Sequence, residues 1–180
     1  MGKLAYILAA SHSGSTLLAM LLGAHREAYT VGEIKATWMG DTDHYRCSCL
    51  RTIKQCPFWA NVSAIMARKG VPFDITDAGT SITGIENGYV RKLLNPLHRG
   101  PILEAVRDGL LFLAPAWHTQ LRRTQQRNAA LVETLHEVSG AKVIVDSSKT
   151  ALRLKYLLRN PVLDIQVIRL IRDGRGVALT

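Results

Sequence analysis

The sequence predicts an α/β fold in which a parallel β-sheet is flanked by helices. Apolar runs at residues 4–10, 142–145 and 165–171 have the length of buried strands, and the last two are rich in β-branched residues. Polar turns follow these runs, and apolar residues at helical spacing come next, first at residues 16–24. Repeated strand-then-helix units favour a parallel sheet, because parallel strands need crossover connections that helices usually supply.

The middle of the chain is predicted to be a helical insertion between the second and third strands. It contains helical patterns and turns rich in Gly, Pro, Thr and Asp, but no evident strand. The predicted helices of this insertion span 57–68, 88–97, 102–113 and 116–138. Another helix is predicted at 149–159, where Asn160 and Pro161 end it.

Composition favours one globular domain in the cytoplasm. The chain has 180 residues, of which 47% are hydrophobic and 21% charged, which suits a single buried core. No apolar run approaches the roughly 20 residues of a membrane-spanning helix. The run at 4–10 is too short for a secretory leader and fits a first strand better. Three cysteines do not make a secreted disulfide framework.

The net charge of +9 indicates an anionic partner. Nucleic acid, an acidic membrane and a phosphate-rich small molecule would all satisfy it. An aromatic content of 6% offers little surface for stacking bases, so we do not expect nucleic acid.

A small polar loop between the first strand and the first helix is a candidate phosphate site. Backbone N–H groups and the positive end of the helix dipole point outward together at such a position. Glycine lets the backbone approach phosphate oxygens, and hydroxyl groups add donors. A tight turn with a Ser or Thr helix cap is the alternative. The loop consists of Ser11, His12, Ser13, Gly14, Ser15 and Thr16.

This loop resembles the 5'-phosphosulfate loop of sulfotransferases that use 3'-phosphoadenosine-5'-phosphosulfate (PAPS). That loop has a Lys or Arg, then Ser, Gly and two Ser/Thr positions, followed by an apolar helix, and residues 13–17 fit it. The nucleotide-triphosphatase loop instead needs a leading glycine and a Gly-Lys-Ser/Thr end, both missing here. The resemblance implies a three-layer P-loop-type fold, with PAPS bound by His12, Ser13, Gly14, Ser15 and Thr16.

His12 departs from the pattern, because it stands where the family carries Lys or Arg. There the basic side chain contacts the bridging oxygen of the phosphosulfate. Histidine can donate to the same oxygen as an imidazolium or as a neutral N–H tautomer, so we predict a catalytic role for His12. A surface histidine without function is the alternative.

A second phosphate motif follows the strand at 165–171. Arg172 ends that strand, and Thr180 lies eight residues later on the first turns of the next predicted helix. The pair resembles the 3'-phosphate motif of sulfotransferases, which distinguishes PAPS from ATP. An Arg fork offers paired donors and a fixed charge to a phosphate dianion. An Asp-Gly turn with solvated arginines is the alternative for this motif taken alone.

Two further residues are candidates for the chemistry. Glu33 follows a short second strand, as does the Gly-Glu that supplies the base in tyrosylprotein and some carbohydrate sulfotransferases. Lys149 ends the segment Asp146-Ser147-Ser148-Lys149, and sulfotransferases often have a lysine near this point that reaches the leaving-group or acceptor oxygen. The alternatives are an exposed helix-initiating Glu and a helix-capping Asp or Ser beside a solvated Lys.

Cys47, Cys49 and Cys56 lie close in sequence, with His44 nearby. Their spacing is not the usual pair of Cys-x2-Cys knuckles of zinc sites, so we expect no metal. A packed thiol cluster or a local disulfide is the favoured interpretation.

The sequence therefore predicts a sulfotransferase domain at 1–180 that transfers a sulfuryl group from PAPS to a hydroxyl or amine. The family resemblance also implies a further carboxyl-terminal part, so we expect this domain to be incomplete there. A nucleotide or small-molecule kinase and a non-catalytic nucleotide-binding module are the alternatives. The acceptor is left open among sugars, lipids, phenols and peptide tyrosines.

Overall fold

The computed structural model describes residues 2–35, 41–83, 87–95 and 100–174. Within these residues a four-stranded parallel sheet has the order β2-β3-β1-β4. Its strands are β1 (Lys3–Ala9), β2 (Ala28–Thr30), β3 (Val143–Lys149) and β4 (Asp164–Leu170). The α/β prediction with a parallel sheet is confirmed.

Helices flank this sheet, and most of them lie between β2 and β3, as predicted. The helices are α1 (Ser15–Gly23), α2 (Pro57–Arg68), α3 (Gly88–Leu94), α4 (Pro101–Phe112), α5 (Pro115–Ser139) and α6 (Ala151–Leu157). Proline occupies the first helical position of α2, α4 and α5, where its missing N–H costs nothing. Among the described residues, no helix combines the length and apolar character that a membrane crossing requires.

Successive side chains of β1 point to opposite faces of the sheet and therefore pack into two different cores. Ala5 and Ile7 pack in a cluster with Ala19 of α1 on one face of the sheet. On the other face, Leu4 joins a cluster with residues of α2 and α5, and Tyr6 packs with residues of α6. The central strand is therefore covered on both sides.

The connections that follow the adjacent strands β1 and β3 leave the two strands in opposite directions. From β1 the chain passes through α1 to β2, beyond β3, whereas from β3 it passes through α6 to β4, beyond β1. Adjacent strands whose connections leave in opposite directions open a crevice at their carboxyl ends, where α/β proteins place their ligands. The loops after β1 and β3 border this crevice.

Strand β3 is longer than the sequence suggested. It continues through Asp146, Ser147 and Ser148 to Lys149, and α6 begins at Ala151 rather than at 149. The sequence predicts a turn at these polar residues, because burying a carboxylate inside a strand is costly unless other groups compensate its charge. Asp146 and Ser148 are fully buried, and their compensating hydrogen bonds come from each other and from the distant residues Ile34 and Lys35.

Candidate functional site

The loop between β1 and α1 brings the amino end of a helix to the crevice. Gly14 is the N-cap residue of α1 with φ of 87°, a left-handed conformation that glycine adopts most easily. A Cβ atom added to Gly14 would meet no described atom within 4 Å, so the space in front of the backbone is open. Among the described residues, no side chain caps α1, which disagrees with the alternative of a Ser or Thr cap.

The hydroxyl groups of this loop differ in their surroundings. Ser13 is buried, and its Oγ donates to the carbonyl oxygen of Ala10 at 2.6 Å. Ser15 is also buried, whereas Thr16 is exposed. Ser13 therefore holds the loop to the end of β1, and Thr16 faces outward at the first turn of the helix.

His12 and Arg172 join the two predicted phosphate motifs. His12 is exposed and has φ of 60°, a conformation that few non-glycine residues adopt. Its carbonyl oxygen accepts a hydrogen bond of 2.9 Å from Nη1 of Arg172. Arg172 thus lies against the first loop, just beyond the end of β4. Thr180, the other predicted residue of the second motif, lies outside the described residues.

Glu33 and Lys149 meet in an ion pair that sequence analysis did not predict. Nζ of Lys149 lies 2.8 Å from Oε1 of Glu33, and Nζ of Lys35 lies 3.2 Å from Oε2. Partial burial on its own would raise the pKa of Glu33. Hydrogen bonds and charge from the two lysines outweigh burial and hold that pKa below its ordinary value. The carboxylate is therefore ionised and already engaged at neutral pH.

The backbone at Lys149 is strained. Its φ is 66°, and the Thr150 N–H donates to the carbonyl oxygen of Ser148 at 2.7 Å, closing a tight turn around it. The register between β1 and β3 also shifts where Leu8 pairs with Lys149. Strained backbone of this kind costs of order 1–3 kcal/mol and is enriched at functional sites. Here the strained residue, Lys149, is the last residue of β3, and its ammonium group contacts Glu33.

A buried network fixes the segment that carries Glu33. Oδ1 of Asp146 accepts from the Ile34 N–H at 3.1 Å, and Ser148 Oγ accepts from the Lys35 N–H at 3.1 Å. The Ser147 N–H donates to the Gly32 carbonyl oxygen at 3.0 Å. Residues 32–35 are thereby attached to the end of β3, which places Glu33 beside Lys149.

Arg153 completes this network from α6. Its guanidinium lies 3.4 Å from Oδ2 of Asp146 and donates to the Thr80 carbonyl oxygen and to Oδ1 of Asn128, each at 2.6 Å. Arg153 is 4% exposed and Asp146 is fully buried, so each charge depends on the other and on these hydrogen bonds. Sequence analysis missed Arg153. The sequence pattern that could have indicated this pair is an Asp within a β-branched run, followed by an Arg in the first turn of the next helix.

A cavity of about 540 Å³ adjoins this part of the molecule. Lys35 and Thr150 line it, so it opens next to the ion pair of Glu33 and Lys149. Its basic lining residues are Lys35, Arg91, Lys92 and Arg153, and none of its described lining residues is acidic. The cavity is therefore electropositive.

Comparisons of the whole chain with known protein families, curated proteins and solved structures gave no match.

Proposed function

We propose that this protein is a cytoplasmic PAPS-dependent sulfotransferase with a P-loop-type fold. The observation that carries the proposal is the hydrogen bond from Arg172 to the carbonyl oxygen of His12. It places Arg172, from the motif that resembles the 3'-phosphate site of sulfotransferases, against the loop that resembles their 5'-phosphosulfate site. A ligand with anionic groups at two ends suits such a pair.

The strand order supports the P-loop-type assignment. The phosphate loop follows β1, a central strand, and β3 lies between β1 and β2. The loop ends in a left-handed glycine at the amino end of α1, where amide groups without intrahelical partners can bind an anion.

The ion pair at the crevice suggests how the chemistry proceeds. An entering phosphosulfate attracts the Lys149 ammonium group, which weakens its hold on the Glu33 carboxylate and raises the pKa of Glu33. Glu33 then accepts the proton of the acceptor O–H or N–H as the acceptor atom bonds to sulfur. The bond from sulfur to the bridging oxygen breaks, and its electron pair stays on the phosphate of 3'-phosphoadenosine-5'-phosphate (PAP). Lys149 and His12 stabilise that developing charge.

The electropositive cavity is the proposed acceptor site. It borders Lys35, which contacts Glu33, so an acceptor bound there has its nucleophile near the proposed base. Sugars, lipids, phenols and peptide tyrosines all fit the proposal, and the basic lining favours acceptors that carry an acidic group of their own.

Calorimetric titration of the full chain with PAP and with ADP tests the donor assignment. We expect PAP to bind more tightly, because Arg172 contributes a charge-assisted hydrogen bond to the 3'-phosphate that ADP lacks. A preference for ADP would support a kinase. Tight PAP binding without transfer to any of a panel of phenols, sugars and tyrosine peptides would support the non-catalytic module.

A further inference from the structure

Three thiol groups converge outside the crevice. Sγ of Cys56 lies 3.4 Å from Sγ of Cys47 and 3.6 Å from Sγ of Cys49, and all three sulfur atoms lie within 4.8 Å of one another. Within the described residues no disulfide joins them. Cys56 lies seven positions after Cys49 and nine after Cys47, so the fold brings its sulfur to the other two.

A turn presents the first two sulfur atoms. The Cys47 N–H donates to the Arg51 carbonyl oxygen at 2.9 Å, and the Leu50 N–H donates to the Cys47 carbonyl oxygen at 2.8 Å. Leu50 has φ of 66°, which closes the turn sharply. Arg46 and Thr52 pair across its base. Cys47 and Cys49 are thus held on one small, closed loop.

The third sulfur comes from the start of a helix. Cys56 is the N-cap residue of α2, with Pro57 at the first helical position. Cys56 is 1% exposed, so this sulfur is fixed by the packing of α2.

We infer that Cys47, Cys49 and Cys56 bind one zinc ion as three thiolate ligands. Tetrahedral zinc with Zn–S bonds of about 2.3 Å places neighbouring sulfur atoms roughly 3.8 Å apart, close to the spacing observed here. A disulfide between any two cysteines would use only two of three converging sulfurs. Sulfur ligands select zinc over the hard cations magnesium and calcium. This inference replaces the sequence-based expectation of no metal and does not depend on the proposed function.

Three thiolates would fill three of the four positions of a tetrahedral zinc site. Cys49 is exposed and Cys47 is half-buried, so water or an added ligand can complete the coordination. The site joins the turn at 45–53 to α2. Ile53 and Phe58, on either side of Cys56, pack in the same hydrophobic cluster, so zinc binding stabilises the contact between this turn and the core.

Cobalt titration of the full, freshly reduced chain tests the inference. Cobalt substitutes for zinc and reports thiolate ligands by a sulfur-to-cobalt charge-transfer band. We expect one equivalent of cobalt to bind, with zinc displacing it.

Serine at any of the three cysteine positions should lower cobalt affinity by more than the roughly 10–100-fold cost of losing an outer-shell partner. Gln55→Ala, at an exposed neutral residue between Cys49 and Cys56, is the control and should bind normally. Absence of the charge-transfer band, or a cysteine variant that binds like the control, would overturn the inference.

Alkylation gives a test that needs no variant. Iodoacetamide labelling followed by peptide mass spectrometry measures each thiol of the unmodified chain separately. Zinc should protect the exposed Cys49 and the half-buried Cys47 together, and a chelator should restore the reactivity of both together. Cys56 is buried and reacts slowly with or without zinc, so it serves as the internal reference. Protection of only one of Cys47 and Cys49, or of neither, would contradict the three-thiolate site.

Discussion

The guanidinium of Arg172 donates a 2.9 Å hydrogen bond to the carbonyl oxygen of His12, 160 positions away in the sequence. Strands β1 and β4 are neighbours in parallel register, with Ala9 opposite Leu170, so the residues that follow them meet at one edge. A carbonyl partner carries no formal charge. The bond therefore positions Arg172 beside the loop without neutralising it, which suits a residue that binds an anion.

Replacing Arg172 should weaken PAP binding selectively. Hydrogen bonds to charged groups contribute about 1.5–3 kcal/mol, so Arg172→Ala should lower PAP affinity roughly tenfold to a hundredfold in calorimetry. ADP affinity should change much less, because ADP has no 3'-phosphate. Arg169→Ala is the matched control, since Arg169 is an exposed arginine on β4, three residues before Arg172. Equal losses in the two variants would indicate general electrostatic attraction instead of a 3'-phosphate contact.

Gly14→Ala should separate backbone strain from ligand binding. Alanine at a φ of 87° is strained, at a cost of roughly 1–2 kcal/mol, although its methyl group would meet open space. Gly140→Ala is a control with the same kind of strain, because Gly140 ends α5 at a φ of 67° and also faces open space.

Both glycine variants should lose similar free energy of unfolding in urea. Only Gly14→Ala should also weaken PAP binding, because only Gly14 lies in the proposed phosphate loop. Unchanged PAP affinity in Gly14→Ala would remove the loop backbone from the donor site.

Local sequence patterns predicted the regular elements well where local physics dominates. Helix α2 has the predicted bounds, 57–68, because Pro57 fixes its start and its apolar residues recur at helical spacing. Strand β1 lies within one residue of its predicted range for a similar reason. In each of these elements, the spacing of the apolar residues in the sequence already indicates which face is buried.

Elements whose environment comes from distant residues were harder to predict. Asp146 lies inside β3 because Ile34, Arg153 and the neighbouring Ser148 satisfy its carboxylate. Ile34 lies 112 positions before it and Arg153 7 positions after it, and the sequence alone does not show that these two residues meet it. The Glu33–Lys149 pair was predicted as two separate candidates, since only the folded chain shows that the two side chains touch. The three cysteines converge for the same reason.

Changes at His12 should affect turnover through charge. His12→Ala should slow transfer from radiolabelled PAPS, and His12→Arg should match or exceed the wild-type rate, because arginine is always charged. Both variants share the left-handed backbone at this position, so strain does not distinguish them. His44→Ala, at an exposed histidine paired with Asp41, is the control. Unchanged rates in both His12 variants would remove His12 from the mechanism.

Glu33→Gln and Lys149→Ala should lower turnover more than donor affinity. Glu33→Gln removes a negative charge near the proposed anion site, so PAP affinity should hold or increase while transfer falls. Lys149→Ala removes a cation and should lower both, transfer more strongly. Losses confined to PAP affinity in both variants would reassign the pair to binding alone.

The stability contribution of Glu33 should also depend on pH. Its pKa is lowered in the folded chain, so the stabilisation is present above the ordinary value of about 4.5 and disappears as the pH falls further. The difference in unfolding free energy between wild type and Glu33→Gln should therefore shrink from pH 7 to pH 3. A difference that stays constant over this range would mean that the lysine contacts do not hold Glu33 ionised.

Removing one member of the Asp146–Arg153 pair should destabilise the fold strongly. Asp146→Ala leaves the guanidinium of Arg153 buried without its counter-charge, and breaking a buried pair in this way costs about 3–5 kcal/mol. Asp164→Ala is the control, because Asp164 at the start of β4 is only partly buried and its side chain contacts Gln166. Urea unfolding followed by circular dichroism measures both.

The double variant Asp146→Leu, Arg153→Met removes both charges and should recover much of the loss, since apolar replacements of similar volume often substitute for buried ion pairs. A double variant as unstable as Asp146→Ala would show that the hydrogen bonds to Ile34, Thr80 and Asn128, and not the unpaired charge, account for the loss.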